Sequence, residues 1–417
     1  MARAVLHIGL PKTGTSYVQQ SLVQNREALA ATGVEVLNVP GRAQHDAAYD
    51  LLGRRIGGTD AGTVEGAWPA LVDRVARSSH PSVLLSDEVL VHARPRQVRS
   101  VARSLGPREL HVVVTVRDLR RAITSMWEQN TAKGRTIRWS DYVSAVRDPS
   151  SGPPTSGVAF WLRYDVRRIL QTWSEVVPAG RVRVVVVPRA GSPPHLLFER
   201  FAEAADLDPT CVRPPPHQVH RGASAVHSEV LRRLNEELRA RLSEAQYLKV
   251  VADLFMPAAS GVADDAGPAF PREHQEWVEE TCEQLIDWLA GSPYRVVGDL
   301  EDLRVHCDAA ADDVSPDELD EDTVNQATRE LLVATMAAYA TSARRRGPGG
   351  KRGATTSAAA ASEARQEVRP PSLRSRLRAK TFRARVWALE RADRNRWLAK
   401  AANVYLRLTG RSRGGVG

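Results

Sequence analysis

Residues 5–19 read VLHIGLPKTGTSYVQ, an apolar strand that leads through a Gly/Pro-bounded turn into the start of a helix. The turn carries one lysine, Lys12, together with hydroxyl residues. In a turn of this kind several backbone N–H groups point the same way, the helix N-terminus adds a partial positive charge, and Lys12 supplies a full one. The segment therefore predicts a binding site for a phosphate or a sulfate group.

The order of glycine and lysine in this turn excludes the ATP-binding P-loop pattern. That pattern, G-x-x-x-x-G-K-[ST], requires lysine directly after the second glycine, whereas here Lys12 precedes Gly14. A nucleotide kinase is disfavoured for the same reason. In a purely structural alternative, Gly14 permits a tight turn and Lys12 is solvated.

The turn resembles the phosphosulfate loop of sulfotransferases that use 3'-phosphoadenosine 5'-phosphosulfate as donor. The resemblance implies that the 5'-phosphosulfate of this co-substrate is held by a continuous run of residues, Lys12, Thr13, Gly14, Thr15 and Ser16. Many relatives have threonine and tryptophan where this chain has Ser16 and Tyr17. Because serine keeps the hydroxyl group, we expect donor binding to survive the change.

A second segment, residues 111–130, reads HVVVTVRDLRRAITSMWEQN. An apolar run of strand length ends in Arg117 and Asp118 and passes into an amphipathic helix. This resembles the family's second cofactor element, in which an arginine at a strand end and a serine eight positions later hold the 3'-phosphate. Arg117 and Ser125 have that spacing, and a planar guanidinium can bind phosphate through two parallel hydrogen bonds. The alternative is that Arg117 and Asp118 only cap the helix.

A third cofactor contact is predicted from a partial match. Cytosolic members of the family carry Arg-Lys-Gly late in the fold, and here a Pro-rich loop holds His220-Arg221-Gly222, which keeps the arginine and the glycine. The resemblance implies that Arg221 contacts the 3'-phosphate, against the alternative of an ordinary loop arginine. Trp173 also has two interpretations, a stacking partner for adenine or a core residue at helical spacing.

Sulfuryl transfer needs a base that takes the proton from an acceptor hydroxyl. In SVLLSDEVLVH, residues 82–92, Asp87 and Glu88 follow an apolar run, at the edge where a doubly wound sheet presents its site. The glycan-modifying branch of the family uses a glutamate, so Glu88 is the first candidate, and the carboxylate beside it would raise its pKa. The alternative is that both residues cap the following helix. His45 is the rival base, whereas His7, inside the first strand, is expected only to pack.

Strand and helix patterns alternate along the first half of the chain. Besides the first strand, strands are predicted at 34–38, 82–86, 111–116 and 181–188, and helices at 16–31, 66–78, 95–104 and 119–132. This alternation predicts an α/β fold with a doubly wound, mostly parallel sheet and helices on both faces, as in the P-loop NTPase-like sulfotransferase fold. Beyond residue 223 the patterns are helical, which predicts one sulfotransferase domain over residues 1–342 with a helical C-terminal part.

Composition narrows the class and the location of the protein. At 417 residues and 42% hydrophobic composition, the chain can bury a large core. Its three cysteines are widely spaced and match no metal-ligand pattern, so neither disulfides nor a structural zinc is predicted. The resemblance to sulfotransferases implies that no metal cofactor is needed. The N-terminus shows no secretory signal, and no stretch is long and apolar enough to span a membrane. These features predict a cytoplasmic protein.

The charge of the chain is concentrated at its C-terminal end. Residues 343–417 contain 20 Lys and Arg against 4 Asp and Glu, whereas the preceding residues contain 38 against 45. Residues 343–372 are predicted to be a disordered basic linker. Residues 373–410 are predicted to form a basic amphipathic helical tail, since apolar residues recur among arginines at near-helical intervals. Such helices bind anionic membrane surfaces, which suggests a peripheral position at the inner membrane face. Nucleic acid is a less favoured partner, because the tail has no recognisable binding module.

Two functions follow from these patterns. The first is a sulfotransferase that moves a sulfuryl group to a hydroxyl of a carbohydrate, a glycolipid or a small-molecule acceptor, without a metal. The alternative is a noncatalytic scaffold that keeps the nucleotide fold while its tail binds membrane or polyanion. Lys12, Arg117, Ser125 and a candidate base occur together, and a scaffold has no physical need for all of them.

Overall fold

Six parallel strands form the sheet at the centre of the molecule. The computed structural model describes residues 2–37, 43–53, 64–208, 224–262, 267–305 and 314–345. The strands are β1 (Arg3–His7), β2 (Val34–Val36), β3 (Ser82–Ser86), β4 (Glu109–Val116), β5 (Val182–Val186) and β6 (Arg295–Val297). Their order across the sheet is β2-β3-β1-β4-β5-β6, and every neighbouring pair is parallel. The predicted doubly wound parallel sheet is confirmed.

Both faces of the sheet are buried, which explains the nearly continuous apolar character of its strands. On β4, Val112 and Val114 belong to one core, whereas Val113 between them belongs to the other. Alternate residues of a strand point to opposite faces. Strands β1, β3, β4 and β5 therefore each supply side chains to two separate cores.

Helices in the first half of the chain cover these two faces. Their bounds are α1 (Thr15–Gln24), α2 (Arg26–Ala31), α3 (Ala43–Leu52), α4 (Ala67–Arg77), α5 (Pro95–Ser104), α6 (Leu119–Ala132), α7 (Trp139–Arg147), α8 (Gly157–Tyr164), α9 (Val166–Ser174) and α10 (Leu196–Ala204). Helices α1, α2 and α10 pack on the smaller core, and α3 to α9 pack on the larger one. Sections of 3-10 helix link some of them, including one at Glu88–His92.

The C-terminal part is mostly helical, as predicted, with α11 (Ala225–Arg241), α12 (Glu244–Val250), α13 (Met256–Val262), α14 (Gln275–Ala290) and α15 (Glu321–Arg345). Helix α11 is tied to the end of α6 by side-chain bonds to backbone carbonyls. The amide of Asn235 donates to the carbonyls of Thr131 at 2.8 Å and Arg135 at 2.9 Å, and Arg232 donates to that of Thr136 at 3.0 Å. Strand β6, which the sequence patterns did not predict, joins the sheet edge beside β5.

Polar residues at helix ends interrupt the helical segments at two places. The helix predicted over 16–31 breaks at Asn25, whose side-chain amide donates to the carbonyl of Ser21 at 2.7 Å. Helices α8 and α9 are separated at Asp165, whose carboxylate accepts from the N–H of Arg168 at 3.0 Å. Short polar side chains favour such positions because they bond to free helix-end groups.

Several predicted features have a clear position and others lie outside the described residues. Trp173 is fully buried in the larger core, which is the core interpretation and not the adenine-stacking one. Helix α15 extends through residues 343–345, the start of the predicted linker, while the rest of the linker and the tail at 373–410 lie outside the described residues. None of the helices in the described ranges is long and apolar enough to cross a bilayer.

Candidate anion-binding and active site

The carboxyl ends of β1, β3 and β4 meet at one edge of the sheet. Beyond β1 the backbone continues between its neighbours: the N–H of Ile8 donates to the carbonyl of Val113 at 3.0 Å, and that of Leu10 to the carbonyl of Thr115 at 3.1 Å. On the other side the N–H of Asp87 donates to the carbonyl of His7 at 2.9 Å. The loop that follows β1 is therefore held on both sides before it turns into α1.

This loop, residues 9–14, turns through three residues with left-handed backbone angles. Their φ values are 69° at Gly9, 65° at Lys12 and 83° at Gly14. At Gly9 a side chain would also collide, because an added Cβ would lie 2.8 Å from the Cβ of Glu88. Lys12 is not a glycine, and a left-handed lysine is uncommon and persists only where its surroundings hold it.

Arg117 holds Lys12 in this conformation. Its Nη1 donates to the carbonyl of Lys12 at 2.6 Å. The same atom lies 3.4 Å from the hydroxyl of Ser125, the residue that the sequence analysis pairs with Arg117. The Nε of Arg117 is buried and has no hydrogen-bond partner among the described residues. A buried guanidinium N–H without a partner is costly, and an anion bound at this edge would supply the missing acceptor.

The helix-cap interpretation applies to Asp118 and not to Arg117. The carboxylate of Asp118 accepts from the N–H of Arg121 at 2.8 Å and so caps the start of α6. Its charge is also paired with the Arg121 guanidinium. Arg117 instead faces the loop after β1, so the two neighbouring residues have different partners.

The ammonium group of Lys12 makes no ion pair in the part of the chain that the structure describes. Burial lowers the pKa of Lys12, and the Arg117 charge lowers it further, while the carboxylates of Glu128 and Glu88 oppose the shift. Beside it, Thr13 and Thr15 are buried and Ser16 is exposed in the first turn of α1. The loop thus places the Lys12 ammonium, which has no ion pair in the described residues, next to the N-terminus of α1. The N-cap residue of α1 is Gly14, which has no side chain to bond to the helix's first N–H groups.

The candidate bases lie together beyond the end of β3. Asp87 caps the 3-10 helix at Glu88–His92 by accepting from the N–H of Val89 at 2.9 Å, and its other carboxylate oxygen lies 3.0 Å from Nδ1 of His45. The Glu88 carboxylate makes no hydrogen bond or ion pair within the described ranges. Burial raises the pKa of Glu88, and the negative charge of Asp87 adds to the rise. Of the two acids, only Asp87 acts as a helix cap.

Two residues near the loop were not predicted from the sequence. Tyr164, at the end of α8, is buried and donates its hydroxyl hydrogen to the carbonyl of Pro11. Glu128 lies three residues after Ser125 on α6, and burial raises its pKa to about 7 even though Lys12 and Arg117 favour its charged form. The spacing of three is a signal that places Glu128 on the same helix face as Ser125.

Arg221 and His7 are the remaining residues that the sequence analysis considers. Arg221 lies outside the described residues. His7 is fully buried below the loop, where it bonds to Ser86 and Thr115, and so does not reach an acceptor. In the ranges that the structure covers, no group of three or more His, Cys, Asp or Glu side chains is arranged to hold a metal ion.

Comparisons with known proteins give one similar structure. No family model matches the chain, and no curated protein matches it. A crystal structure of a sulfotransferase from Alicyclobacillus acidocaldarius aligns with 60% of this chain and 96% of its own, at a TM-score of 0.37 and 12% sequence identity. A similarity at that level carries no argument about function, which rests on the residues of the site.

The protonation of Glu128 predicts how the affinity of this edge for a phosphate group depends on pH. A bound phosphate near Lys12 and Arg117 is repelled by the Glu128 carboxylate, so binding favours the protonated acid. The pKa of Glu128 is about 7 without ligand, and we therefore expect affinity for adenosine 3',5'-bisphosphate to fall from pH 7 to 8.5, by up to roughly tenfold per pH unit. Calorimetric titration across this range measures it.

The matched variants are Glu128→Gln and Glu280→Gln, the second at an exposed position of α14. Glu128→Gln should make the decline shallower and Glu280→Gln should leave it unchanged. The slope that remains in Glu128→Gln is expected from Lys133, whose pKa burial lowers to about 8. The same slope in all three proteins would show that Glu128 does not control it. The range begins above the second phosphate pKa of about 6, so titration of the nucleotide itself adds little.

Proposed function

We propose that this protein transfers a sulfuryl group from 3'-phosphoadenosine 5'-phosphosulfate to a hydroxyl of a carbohydrate, a glycolipid or a small-molecule acceptor. The observation that carries the proposal is the 2.6 Å hydrogen bond between Arg117 and the Lys12 carbonyl. Through it, the two segments that resemble the family's cofactor elements meet at one sheet edge. Two cations from distant parts of the chain therefore face the same space, as a donor with two anionic groups requires.

The donor's two anionic groups would bind at adjacent positions. Lys12 and the N–H groups of the loop through Ser16 would hold the 5'-phosphosulfate, since they combine a full charge with a helix N-terminus. Arg117, whose Nε has no partner in the described chain, and Ser125 would hold the 3'-phosphate. Arg221 remains a proposed further contact to that phosphate.

In the proposed reaction the acceptor oxygen forms a bond to sulfur while the bond from sulfur to the 5'-phosphate oxygen breaks. The acceptor's proton passes to a base, and negative charge develops on the leaving phosphate oxygen. Lys12 would stabilise that charge, since its ammonium is partly desolvated and unpaired. The products are the sulfated acceptor and adenosine 3',5'-bisphosphate, and no metal takes part.

Glu88 is the base that we propose. Its Cβ lies against Gly9 of the loop, its carboxylate has no partner in the described chain, and its pKa is raised by burial and by Asp87. A raised pKa suits a carboxylate that must accept a proton near neutral pH. His45 is the alternative, because its Nδ1 faces Asp87 at 3.0 Å and its Nε2 is then left to accept a proton.

Nucleotide binding tests the donor site without knowledge of the acceptor. Calorimetric titration should show that adenosine 3',5'-bisphosphate binds more tightly than AMP or ATP, because only it offers the 3'-phosphate. Arg117→Ala should abolish this preference, with a loss of roughly 10- to 100-fold for the bisphosphate, since a charge-assisted hydrogen bond contributes about 1.5–3 kcal/mol. Arg99→Ala, which removes an exposed arginine of α5 paired with Glu175, is the control and should bind normally. A preference for ATP in the wild type would contradict the proposal.

Turnover distinguishes the two candidate bases. Transfer of labelled sulfate to a panel of sugars, glycolipids and phenols identifies an acceptor, with Lys12→Ala as the inactive reference. On that acceptor we expect Glu88→Gln to lower kcat by about 10²- to 10⁴-fold, with bisphosphate affinity nearly unchanged. His45→Gln should lower it far less. If Glu88→Gln retains turnover and His45→Gln loses it, the base is His45.

We also propose that the tail at 373–410 brings the catalytic part to an anionic membrane surface. The support is its excess of arginines among apolar residues at near-helical spacing, a pattern that binds anionic lipid interfaces. An acceptor presented at such a surface would be lipid-linked or a glycolipid.

Vesicle sedimentation tests the role of the tail. The full chain should bind vesicles containing phosphatidylserine much better than neutral vesicles, and the binding should weaken with salt because it depends on charge. A chain that ends at Arg345, the last residue of α15, should lose this binding. Equal vesicle binding by both proteins would contradict the proposal. Strong competition by RNA for vesicle binding would favour a polyanion as the partner instead.

A further inference from the structure

A continuous series of buried hydrogen bonds runs beneath the loop after β1. It begins at Ser86 on β3, whose Oγ lies 2.7 Å from Nδ1 of His7 on β1. Nε2 of His7 lies 3.2 Å from Oγ1 of Thr115 on β4, and this oxygen lies 2.5 Å from Oγ1 of Thr13 in the loop. The Thr13 hydroxyl reaches the carbonyl oxygen of Leu10 at 2.6 Å. We call these residues the relay.

The last hydrogen bond of the relay, from Thr13 to Leu10, determines which atom donates in each of the others. A carbonyl oxygen only accepts, so Thr13 donates its single hydroxyl hydrogen to Leu10. The Thr13 oxygen must then accept the hydrogen of Thr115, and the Thr115 oxygen must accept from Nε2–H of His7. His7 is therefore the Nε2–H tautomer, and its bare Nδ1 accepts from Ser86. All four side chains have compatible roles.

Burial keeps this arrangement in one protonation state. His7, Ser86, Thr13 and Thr115 are each fully buried. Burial lowers the pKa of His7 to about 3, so its ring stays neutral near physiological pH. A protonated ring would carry a hydrogen on Nδ1 as well, so the Ser86 hydroxyl would have to accept that hydrogen and direct its own elsewhere. The ring also packs edge-on against Phe201 of α10 at a centroid distance of 5.0 Å, which fixes its orientation.

The relay ends on the part of the loop that faces the proposed 5'-phosphosulfate. Thr13 directly follows Lys12, whose left-handed backbone angle turns the loop. The Thr13 hydroxyl closes that turn by donating to the carbonyl of Leu10, and Arg117 donates to the carbonyl of Lys12. Without the hydroxyl of Thr115, the Thr13 side chain keeps only its bond to Leu10, so one of the bonds that hold the turn is lost.

We propose that His7 and Thr115 are positioning residues that set the loop's affinity for the 5'-phosphate group of the nucleotide. They touch no ligand and act only through Thr13. The inference rests on the proposed function for the identity of the anion, but the relay's effect on the loop can be measured without any ligand.

The experiment compares Thr115→Val with Thr115→Ser. Valine has nearly the same shape as threonine and lacks the hydroxyl, whereas serine keeps it. Thr172→Val is the matched control, because Thr172 is also buried and its hydroxyl bonds to a carbonyl, that of Arg168 at 2.7 Å, within α9. Ser86→Ala is a second variant, which removes the far end of the relay and leaves the contact between Thr115 and Thr13.

The first readout is amide hydrogen exchange of the ligand-free protein. Thr115→Val should speed exchange at residues 12–15 by about tenfold, and Ser86→Ala should do so to a smaller extent. Thr115→Ser and Thr172→Val should match the wild type. A uniform acceleration over the whole sheet, or none in the loop, would overturn the proposal, because a merely structural role predicts no localised effect.

The second readout is affinity for AMP and for adenosine 3'-monophosphate. Thr115→Val should weaken AMP binding by about tenfold and change 3'-monophosphate binding by less than about twofold, while Thr115→Ser restores AMP binding. An equal loss for both nucleotides would contradict the relay. If no nucleotide binds the wild type yet loop exchange responds as expected, the donor assignment is wrong and the positioning role of the relay stands.

Discussion

The hydrogen bond from Arg117 to the carbonyl of Lys12 joins the end of β4 to the loop after β1, at 2.6 Å. It orients the backbone carbonyl of a lysine with a left-handed φ of 65°, and it brings the Arg117 charge within range of the Lys12 ammonium. Burial lowers the pKa of both Lys12 and Arg117. Two desolvated cations at one edge repel each other, and an anion between them relieves that repulsion.

The same buried environment shifts the pKa values of the site's carboxylates in the opposite direction, upward. Burial raises the pKa of both Glu88 and Glu128, although each lies within the field of Lys12. Neither acid forms a close ion pair with a described cation, so the charges of the site influence one another without direct contact. Such perturbed groups cluster at functional sites more often than in ordinary surface networks.

The sheet explains how these groups come together. In a parallel sheet with β1 at its centre, the loops after β1, β3 and β4 all leave at the same edge. The register pairs His7 with Ser86 across β1 and β3, so polar residues at strand ends meet below the loop. The same alignment that brings these groups to one edge also supplies their buried support.

The sequence by itself determined the α/β class, the parallel sheet and the strand ends that carry the loop, Arg117 and Glu88, because hydrophobic periodicity and turn residues are local signals. Trp173 had two interpretations, and only packing showed that it is a core residue. Strand β6 was missed, since a short edge strand has too little periodicity to identify.

Tertiary structure alone decided the finer chemistry of the site. The pairing of His45 with Asp87, the burial of Glu128 and the relay through His7 each join residues far apart in the chain or depend on how neighbouring elements cover them. Hydrogen-bond direction and desolvation are properties of surroundings, which strand order and helix packing create. The sequence specified which groups are present, and the fold determined which of them are buried, paired or left open to a ligand.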